Sequence, residues 1–303
     1  MGAGPAGMTA GIYAARAGLS AIMIEPEAPG GKLVKTYEIC NWPGIKTITG
    51  VDLAMTMFDH AQSLGVIYQY GQVEEVIKHK DHLEVVAQDN VYYGKTVIMA
   101  TGTVENRLGL ENEDKLVGRG VSFCAVCDGA FYKDQIVSVI GGGNSALEEA
   151  VYLTQFASKV YVIIRRDVFR ADKTAVDIAS RNPKIEFIKL HKPVAYEVKD
   201  NKISGLVLQH SLTGELQTIQ TNAVFQYIGA VPATSIVTKL DILTDEGYLI
   251  VNEKMETAIP GLYGAGDVCD KPLRQIVTAT GDGAIAAQQA FHYIQKHDMQ
   301  HDT

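Results

Sequence analysis

The chain has 303 residues, of which 47% are hydrophobic and 20% charged, and its formal net charge is −8. These values are ordinary for a globular protein of about two domains, and the acidic balance argues against a nucleic-acid partner, because such binding needs a basic face. No apolar run approaches the roughly 18 residues of a membrane span and no signal peptide is visible, so we expect no membrane association and a cytoplasmic location. Four cysteines are too few for the disulfide framework of a small secreted protein.

The first motif is a glycine-rich turn, Gly2-Ala3-Gly4-Pro5-Ala6-Gly7. We predict a helix over residues 8–17 that stops at Gly18, then an apolar strand over residues 19–24 that ends before Glu25. Glycines at a strand-to-helix turn let the backbone approach a pyrophosphate. Because a carboxylate after the second strand accepts from ribose hydroxyls and repels a 2′-phosphate, FAD fits this site. A plain surface carboxylate is the alternative for Glu25.

A dinucleotide-binding unit needs a buried strand before its glycine loop, yet Gly2 follows Met1 directly. We expect that the full-length protein begins upstream with this apolar strand. The alternative is that another segment of the chain takes the place of the strand.

Loop and strand signals continue along the chain. Gly30-Gly31 and Trp42-Pro43-Gly44 mark loops. We predict a helix at about 50–64, followed by β-rich segments at about 66–99 that lead into Ala100-Thr101-Gly102.

A second dinucleotide-binding unit starts at residue 136. The apolar run at 136–140 predicts a buried parallel strand, and the glycine loop 141–143 follows it. A helix over about 144–156 and a strand over 159–164 complete the unit. We expect strands to alternate from there to about Gly229.

Basic residues follow the second strand of this unit, namely Arg165, Arg166 and Arg170. A guanidinium pairs with a phosphate through two hydrogen bonds, so NADPH is favoured over NADH at this site. The alternative is that these arginines are solvated surface charges.

Near the end, residues 261–267 return to a glycine-rich turn that ends in Asp267, a second candidate contact to FAD or a plain turn aspartate. A helix rich in small residues is predicted at about 280–296. Since the chain carries no linker, we expect short crossovers between domains near 107–112 and 229–234.

Between the two glycine loops lies the sequence Cys124-Ala125-Val126-Cys127-Asp128. A Cys-x-x-Cys pair can close a disulfide, and Asp128 could protonate the thiolate that is released when the disulfide opens. The alternatives are half a zinc site or inert buried thiols; zinc needs four ligands and no second pair accompanies these cysteines. We interpret Cys40 and Cys269 as small apolar fillers, and we expect no metal.

Two nucleotide sites and a redox-capable dithiol in one chain indicate an electron path from nicotinamide to flavin to disulfide. Together these motifs closely resemble the low-molecular-weight bacterial thioredoxin reductases over nearly the whole chain. The resemblance rests on the two glycine loops, the Glu25–Lys32 segment, Asn41-Trp42-Pro43-Gly44, Ala100-Thr101-Gly102, Cys124–Gly129, Gly264–Asp267 and Arg274-Gln275.

The resemblance implies Cys124, Cys127 and Asp128 as catalytic residues. It implies FAD contacts at Gly2, Gly4, Pro5, Ala6, Gly7, Glu25, Pro26, Gly30, Gly31, Lys32, Asn41, Ala100, Thr101, Gly102, Gly266, Asp267, Arg274, Gln275 and Ile276. It implies NADPH contacts at Gly141, Gly143, Asn144, Ser145, Ala146, Glu148, Arg165, Arg166 and Arg170.

The implied fold is α/β, with two Rossmann-like, three-layer ββα nucleotide-binding domains. An NADPH domain at 110–231 is inserted into an FAD domain split between 1–109 and 232–303. The resemblance further implies a homodimer, thioredoxin as partner, and two domains that rotate so that the dithiol alternately meets flavin and thioredoxin.

The sequence departs from the family pattern at a few positions. Lys32 stands where the family usually has Gln, and Ile164 replaces the His of a His-Arg-Arg motif, which weakens the preference for NADPH. Ala230 and Ala233 also differ from the usual residues.

The expected activity is reduction of thioredoxin by NADPH through FAD and the Cys124–Cys127 pair. Alternatives are a flavoprotein reductase of another dithiol carrier, such as a peroxidase-linked one, and a non-catalytic flavin redox sensor. A ferredoxin–NADP reductase would have no use for the two cysteines.

Overall fold

The computed structural model describes residues 1–36 and 38–301. The chain divides into two compact units, Met1–Val104 with Val231–Thr303, and Glu105–Ala230. The passages between units therefore fall at 104/105 and 230/231, whereas the sequence analysis placed them at 109/110 and 231/232.

Most of the helices and strands of the first unit lie in its N-terminal segment. In chain order its elements are α1 (Pro5–Arg16), β1 (Ile22–Glu25), β2 (Glu38–Ile39), β3 (Ile48–Thr49), α2 (Gly50–Ser63), β4 (Ile67–Tyr70), β5 (Val73–Lys78), β6 (Leu83–Ala87), β7 (Asn90–Gly94), β8 (Val97–Met99) and β9 (Thr103–Glu105).

The second unit is continuous in sequence. Its elements are α3 (Glu113–Leu116), β10 (Val121–Ser122), α4 (Ala125–Asp128), β11 (Ile136–Ile140), α5 (Asn144–Leu153), β12 (Lys159–Ile164), α6 (Lys173–Arg181), β13 (Ile185–Lys189), β14 (His191–Lys199), β15 (Lys202–His210), β16 (Leu216–Gln220) and β17 (Ala223–Gln226). The chain then returns to the first unit through β18 (Ala230–Pro232), β19 (Leu262–Gly264) and α7 (Ile276–His301).

The second unit has three layers. Its parallel sheet has the strand order β10-β17-β11-β12-β13, and β14-β15-β16 form a separate antiparallel sheet. Alternate residues of the parallel strands face opposite cores: Val137 and Val139 pack in the core that holds α5 and α6 residues, and Ile140 packs with Leu206 of β15. This alternation with period two places the sheet between helices and the antiparallel layer, so the predicted ββα arrangement is confirmed for this unit.

The first unit is built on the same principle. Parallel pairs β1–β4 and β8–β19 lie with the antiparallel meander β5-β6-β7. Met23 of β1 belongs to the core of α1 and α2, while Ile24 belongs to the core of the meander. Gly2 N–H donates to the carbonyl of Ile24 in β1, and the N–H of Ala100, which follows β8, donates to the Met1 carbonyl. The first two residues are therefore hydrogen-bonded both to the β1–β4 pair and to the chain just after β8.

Several predicted bounds shift for local reasons. Helix α1 begins at Pro5 rather than at residue 8, because a proline tolerates the first helical position, where its missing N–H is not needed. It ends near Gly18 as predicted, with Gly18 at φ +80°. Strand β1 spans Ile22–Glu25 instead of 19–24, because Leu19 N–H still bonds to the Ala14 carbonyl in the helix-ending turn.

Three further helix predictions need correction. Helix α5 ends at Leu153 instead of 156, where the Thr154 hydroxyl bonds back to the Val151 carbonyl. Helix α6 (Lys173–Arg181) was missed among the predicted strands; its apolar residues lie on one face, but the helix has nine residues and Ala179 is its buried one, so few apolar residues mark it. Helix α7 starts at Ile276 rather than 280, because the Gln275 carbonyl accepts from Ala279 N–H and the Thr278 hydroxyl accepts from Gln275 N–H. Strands β11 and β12 match their predicted bounds.

Candidate functional site

The first glycine loop is closed by backbone contacts on one side and open on the other. Gly2 has φ +93°, and a Cβ there would lie 2.3 Å from the Ala100 carbonyl oxygen. A Cβ on Gly7 would lie 1.9 Å from the Gly2 carbonyl oxygen. A Cβ on Gly4 would meet no atom within 4 Å, so space remains at the N terminus of α1. A diphosphate fits such a cradle.

Glu25 is fixed beside this loop. Its Oε2 accepts from Ala3 N–H at 2.8 Å and its Oε1 accepts from Glu27 N–H at 3.1 Å. The side chain is half-buried. Because each carboxylate oxygen can accept a second hydrogen bond, Glu25 retains acceptor capacity for a ribose.

Four more of the predicted residues meet at the same loop. Gly30 N–H bonds to the Ala3 carbonyl at 2.8 Å, and a Cβ on Gly31 would lie 3.3 Å from Gly4 Cα. On the other side a Cβ on Gly266 would lie 2.9 Å from Ala6 Cβ. With Ala100 against Gly2, these segments surround one turn although the sequence separates them by more than two hundred residues.

Other predicted FAD residues form pairs with neighbours. Asn41 donates to the Gln275 side chain at 3.0 Å, and the Lys32 ammonium donates to the Thr103 hydroxyl. Thr101 and Gly102 are held through the backbone of Ala233, one of the residues that departs from the family pattern. Ala233 N–H bonds to the Gly102 carbonyl at 3.0 Å, so that departure leaves a backbone contact in place.

Arg274 lies across the turn that carries Asp267. Its guanidinium is within 3.4 Å of the Asp267 carbonyl oxygen and lies 4.1 Å over the Tyr248 ring. Pro26 follows β1 half-buried, and Ile276 begins α7.

A buried ion pair, which the sequence analysis missed, holds this turn. Asp282 of α7 accepts from Gly266 N–H at 3.0 Å and pairs with the Lys271 ammonium. Nearby Cys269 is buried, and burial raises the pKa of its thiol to about 12, which makes it unreactive. Cys40 is exposed, so its interpretation as an apolar filler is wrong.

The second glycine loop has the same two-sided character. Gly141 has φ +144°, and a Cβ there would lie 2.3 Å from the Tyr227 carbonyl oxygen. A Cβ on Gly142 would lie 3.1 Å from the Ile164 side chain, whereas one on Gly143 would meet no atom within 4 Å. Space for a phosphate therefore lies at the N terminus of α5.

The predicted contacts on α5 differ in what they can offer. Ser145 is exposed, but Ala146 is 1% exposed and packs in the core, so a ligand could reach its backbone alone. Asn144 has both ends of its amide bonded to Asp172. Partial burial, and then Asp172, raises the pKa of Glu148.

Arg165, Arg166 and Arg170 are exposed just beyond the end of β12. Within residues 1–36 and 38–301 they take part in no ion pair. Arg170 is tied to the glycine loop, because its N–H donates to the Gly142 carbonyl at 2.7 Å. Three free guanidinium groups beside a phosphate cradle suit an anion.

Cys124 and Cys127 form a disulfide with Cα atoms 5.3 Å apart. Cys124 is 8% exposed and precedes α4, while Cys127 is exposed. Cys127 N–H donates to Cys124 Sγ at 3.1 Å. In the part of the chain that the structure describes, no group of three His, Cys, Asp or Glu side chains is placed to hold a metal.

Residues around the disulfide extend the site beyond its motif. Ala125 N–H donates to the Tyr227 hydroxyl at 2.9 Å across 102 residues of sequence. Asp128 is half-buried, and after burial its charge is the second cause that raises the pKa of Tyr132. Phe131, four residues after Cys127, is 76% exposed and places an apolar ring on the surface near the disulfide.

Glu149, which together with Glu148 resembles part of the family's NADPH loop, is a half-buried residue of α5 whose Oε2 is buried and has no hydrogen-bond partner. Burial, and then the charge of Glu148, raises its pKa to about 8. Burial, and then Glu149, raises the pKa of Tyr227. No motif marks Tyr227, because its hydrogen bond to Ala125 joins segments that are 102 residues apart in sequence.

Comparison with known proteins agrees with this geometry. Residues 1–283 match the family described as pyridine nucleotide-disulphide oxidoreductase. The chain belongs to this family. It is 45% identical to the thioredoxin reductase of Bacillus subtilis, an alignment that covers 98% of this chain and 94% of that protein.

Solved structures show the same similarity. Thioredoxin reductase from Lactococcus lactis, described as the FR conformation, has a TM-score of 0.95 at 41% identity, with 97% of both chains covered. Thioredoxin reductase from T. acidophilum has a TM-score of 0.91 at 32% identity, with 96% of both chains covered. The resemblance to the low-molecular-weight thioredoxin reductases and the two-domain Rossmann-like fold are thus confirmed. None of the helices among the described residues has the length and hydropathy needed to cross a bilayer.

Proposed function

We propose that this protein is an NADPH-dependent thioredoxin reductase that carries FAD and works as a homodimer in the cytoplasm. The observation that carries the proposal is the Cys124–Cys127 disulfide, formed in a unit that also holds a glycine loop flanked by free arginines. The similarity to thioredoxin reductases over 98% of the chain supports thioredoxin as the acceptor.

The residues of the two cradles fit the two nucleotides. In the first unit, the open turn at Gly4 would hold the FAD diphosphate and Glu25 its adenosine ribose. In the second unit, the turn at Gly143 would hold the NADPH diphosphate and the arginines its 2′-phosphate. When bound, the nicotinamide and the flavin supply the two electrons that open the disulfide.

The cysteine chemistry follows from their environments. Two electrons break the Cys124–Cys127 bond and leave two sulfurs, of which Cys124 Sγ accepts a hydrogen bond from Cys127 N–H. A hydrogen bond to the charged form favours the thiolate, so we assign Cys124 as the nucleophile. Cys124 attacks one sulfur of the thioredoxin disulfide and displaces the other as a thiolate. Cys127 then attacks Cys124, which releases reduced thioredoxin and restores the disulfide.

Asp128 is placed to donate a proton during this series of steps. It directly follows Cys127 and is half-buried beside the disulfide. We assign it as the acid that protonates the Cys127 thiolate when the disulfide opens. Loss of that charge leaves Cys127 as a neutral thiol, so that Cys124 is the reactive sulfur when thioredoxin arrives.

Phe131 supplies apolar surface for the protein partner. Phe131 lies four residues after Cys127 in sequence and is 76% exposed, so its ring is open to a protein that reaches the disulfide. We assign it to the thioredoxin-docking surface.

The test is consumption of NADPH by the FAD-loaded protein with and without oxidised thioredoxin. We expect turnover that depends on thioredoxin and disappears in Cys124→Ser and in Cys127→Ser, while reduction of the flavin by NADPH persists in both. Turnover with another dithiol carrier but not with thioredoxin would replace the assigned acceptor. Flavin reduction without any disulfide turnover would point to a redox sensor.

A further inference from the structure

The segment that carries the arginines is fastened to the second glycine loop at several points. Arg170 N–H and Ala171 N–H both donate to the Gly142 carbonyl, at 2.7 and 3.0 Å. Asn144 Nδ2 donates to Asp172 Oδ2 at 2.7 Å, and Asp172 N–H donates to Asn144 Oδ1 at 2.7 Å. We call the reciprocal Asn144–Asp172 pair the clamp.

The clamp changes how Asn144 should be understood. Its sequence position at the start of α5 marked it as a ligand contact, yet both polar ends of its amide are already engaged by Asp172. The Asn144 side chain is therefore hydrogen-bonded to another loop of the protein. The clamp adds an attachment of the segment 165–172 to the glycine loop at Asp172, next to the hydrogen bonds from Arg170 and Ala171 to the Gly142 carbonyl.

The backbone position of the segment 165–172 matters because no ion pair among the described residues fixes the arginine side chains. Their side chains are exposed, long and free of ion pairs among the described residues. A flexible guanidinium loses conformational entropy when it binds a phosphate, and a fixed backbone reduces that loss. Ile164, which replaces the family's histidine, removes one polar group from this end of β12 and leaves more of the selection to the arginines.

We propose that Asn144 and Asp172 are positioning residues that set the preference for NADPH over NADH by holding the arginine segment against the glycine loop. This rests on the proposed function, in which the arginines bind the 2′-phosphate. In this role they act through the position of the arginines, since the polar atoms of the Asn144 amide bond to Asp172.

The test variant is Asn144→Ala, which removes both hydrogen bonds without a change of charge and places a good helix former in α5. The kcat and KM values are measured with NADPH and with NADH. Binding of 2′,5′-ADP and 5′-AMP to the FAD-loaded protein is measured by calorimetry. We expect KM for NADPH and Kd for 2′,5′-ADP to rise about five- to twentyfold, while kcat, NADH kinetics and 5′-AMP binding stay within about twofold.

Two further variants separate the clamp from charge and from stability. Asp172→Asn keeps an acceptor for Asn144 and should retain the NADPH preference. Asn252→Ala breaks a similar reciprocal pair, Asn252–Glu256, in the first unit and should leave the preference unchanged even if the melting temperature falls.

The outcomes distinguish failure of this inference from failure of the proposed function on which it rests. If Arg165→Ala with Arg166→Ala leaves the NADPH/NADH ratio unchanged, the 2′-phosphate assignment fails and the clamp proposal fails with it. If that variant lowers the ratio but Asn144→Ala does not, or lowers use of both nucleotides equally, the clamp proposal alone is wrong. Faster amide hydrogen exchange of residues 166–172 in Asn144→Ala is also required; unchanged exchange overturns the proposal.

Discussion

Individual carboxylates in the second unit differ according to their hydrogen bonds. Glu113 is 5% exposed and accepts from four donors, the N–H groups of Leu108 and Gly109 and the side chains of Tyr196 and Gln226. Burial would raise its pKa, but these hydrogen bonds lower it overall. The Oε2 atom of Glu149 is also buried, yet it accepts no hydrogen bond. A buried carboxyl without partners is more stable protonated.

Asp128→Asn tests whether Asp128 is the acid that protonates the Cys127 thiolate. The amide keeps the shape of the side chain and removes the acid, so we expect thioredoxin turnover to fall at least roughly tenfold, since general acid catalysis contributes about 10²–10⁴-fold. Stopped-flow absorbance at the flavin band should show an unchanged reduction by NADPH and a slower opening of the disulfide. Asp134→Asn is the matched control, because Asn tolerates its φ of +59°. A slower reduction of flavin by NADPH, with disulfide opening intact, would instead make Asp128 a structural residue.

Glu149 should make stability depend on pH. Its pKa is about 8 in the folded chain and near the ordinary value of 4.5 when unfolded, so the folded state binds more protons in that interval. Stability therefore falls as pH rises from about 4.5 to about 8, with a slope of at most about 1.4 kcal/mol per pH unit from this group. Glu149→Gln removes the slope. We expect its melting temperature to exceed that of the parent by a margin that grows between pH 5 and pH 8.

The control for this series is the exposed Glu111, whose change to Gln should leave the pH profile of the parent unchanged. A margin between Glu149→Gln and the parent that is constant with pH would mean that Glu149 is ionised throughout. In that case a partner for its Oε2 must exist.

At the residue scale, the side chains that could be predicted from the sequence are those that belong to a short motif. The glycines and the Cys-x-x-Cys pair are of that kind, since their function depends on neighbours a few positions away. Tyr227, Asp172 and Asp282 were missed because their partners Ala125, Asn144 and Gly266 lie 102, 28 and 16 residues away in sequence. Only the fold brings such groups together.

At the scale of elements, the continuous apolar strands were predicted to the residue, whereas a short helix between strands was not recognised. Strands β11 and β12 are continuous apolar runs and match their predicted bounds. Helix α6 has nine residues and few apolar ones, so it was not separated from the strands around it although its apolar residues share one face. Helix α7 contains glycines that discourage a helix, and it forms because small residues let it approach α1, as at Ala10, Ala14 and Ala287.

Two glycines of α7 test that packing. A Cβ on Gly283 would lie 2.2 Å from the Ala6 carbonyl oxygen, whereas one on Gly281 would meet nothing within 4 Å. Gly283→Ala should separate α1 from α7 and cost about 1–3 kcal/mol, with lower FAD content because α1 begins at the first glycine loop. Gly281→Ala should stabilise the helix by about 0.5–1 kcal/mol. The measurements are melting temperature and bound flavin per chain; equal effects of the two substitutions would contradict close α1–α7 packing.

At the scale of the whole molecule, the second unit is one continuous segment with its own cores on both faces of its parallel sheet. The resemblance alone supplied the idea that one domain interrupts the other, since no linker composition marks the passages. Their positions depend on the buried Glu113 network, which reaches back to residues 108 and 109. A sequence pattern does not contain that information, because it arises from backbone N–H groups.

This network yields a prediction about where the second unit can be cut out. A fragment 105–230 retains the four donors to Glu113 and the hydrogen bond from Asn106 N–H to the Gly229 carbonyl. A fragment 110–231, cut at the boundary that the sequence suggested, loses two donors to a buried carboxylate. Because each hydrogen bond to a charged group contributes about 1.5–3 kcal/mol, we expect 110–231 to be less stable by about 3–6 kcal/mol.

The measurement is urea unfolding of the two fragments, with 105–231 as the control that shares its C terminus with 110–231. We expect 105–230 and 105–231 to unfold cooperatively, to contain the Cys124–Cys127 disulfide and to bind 2′,5′-ADP about as tightly as the full chain does. Equal stability of 105–231 and 110–231 would show that water replaces the two lost donors at Glu113, and that the unit ends where the sequence placed it. Failure of every fragment to fold would show instead that residues 105–230 need the rest of the chain for stability, despite their separate cores.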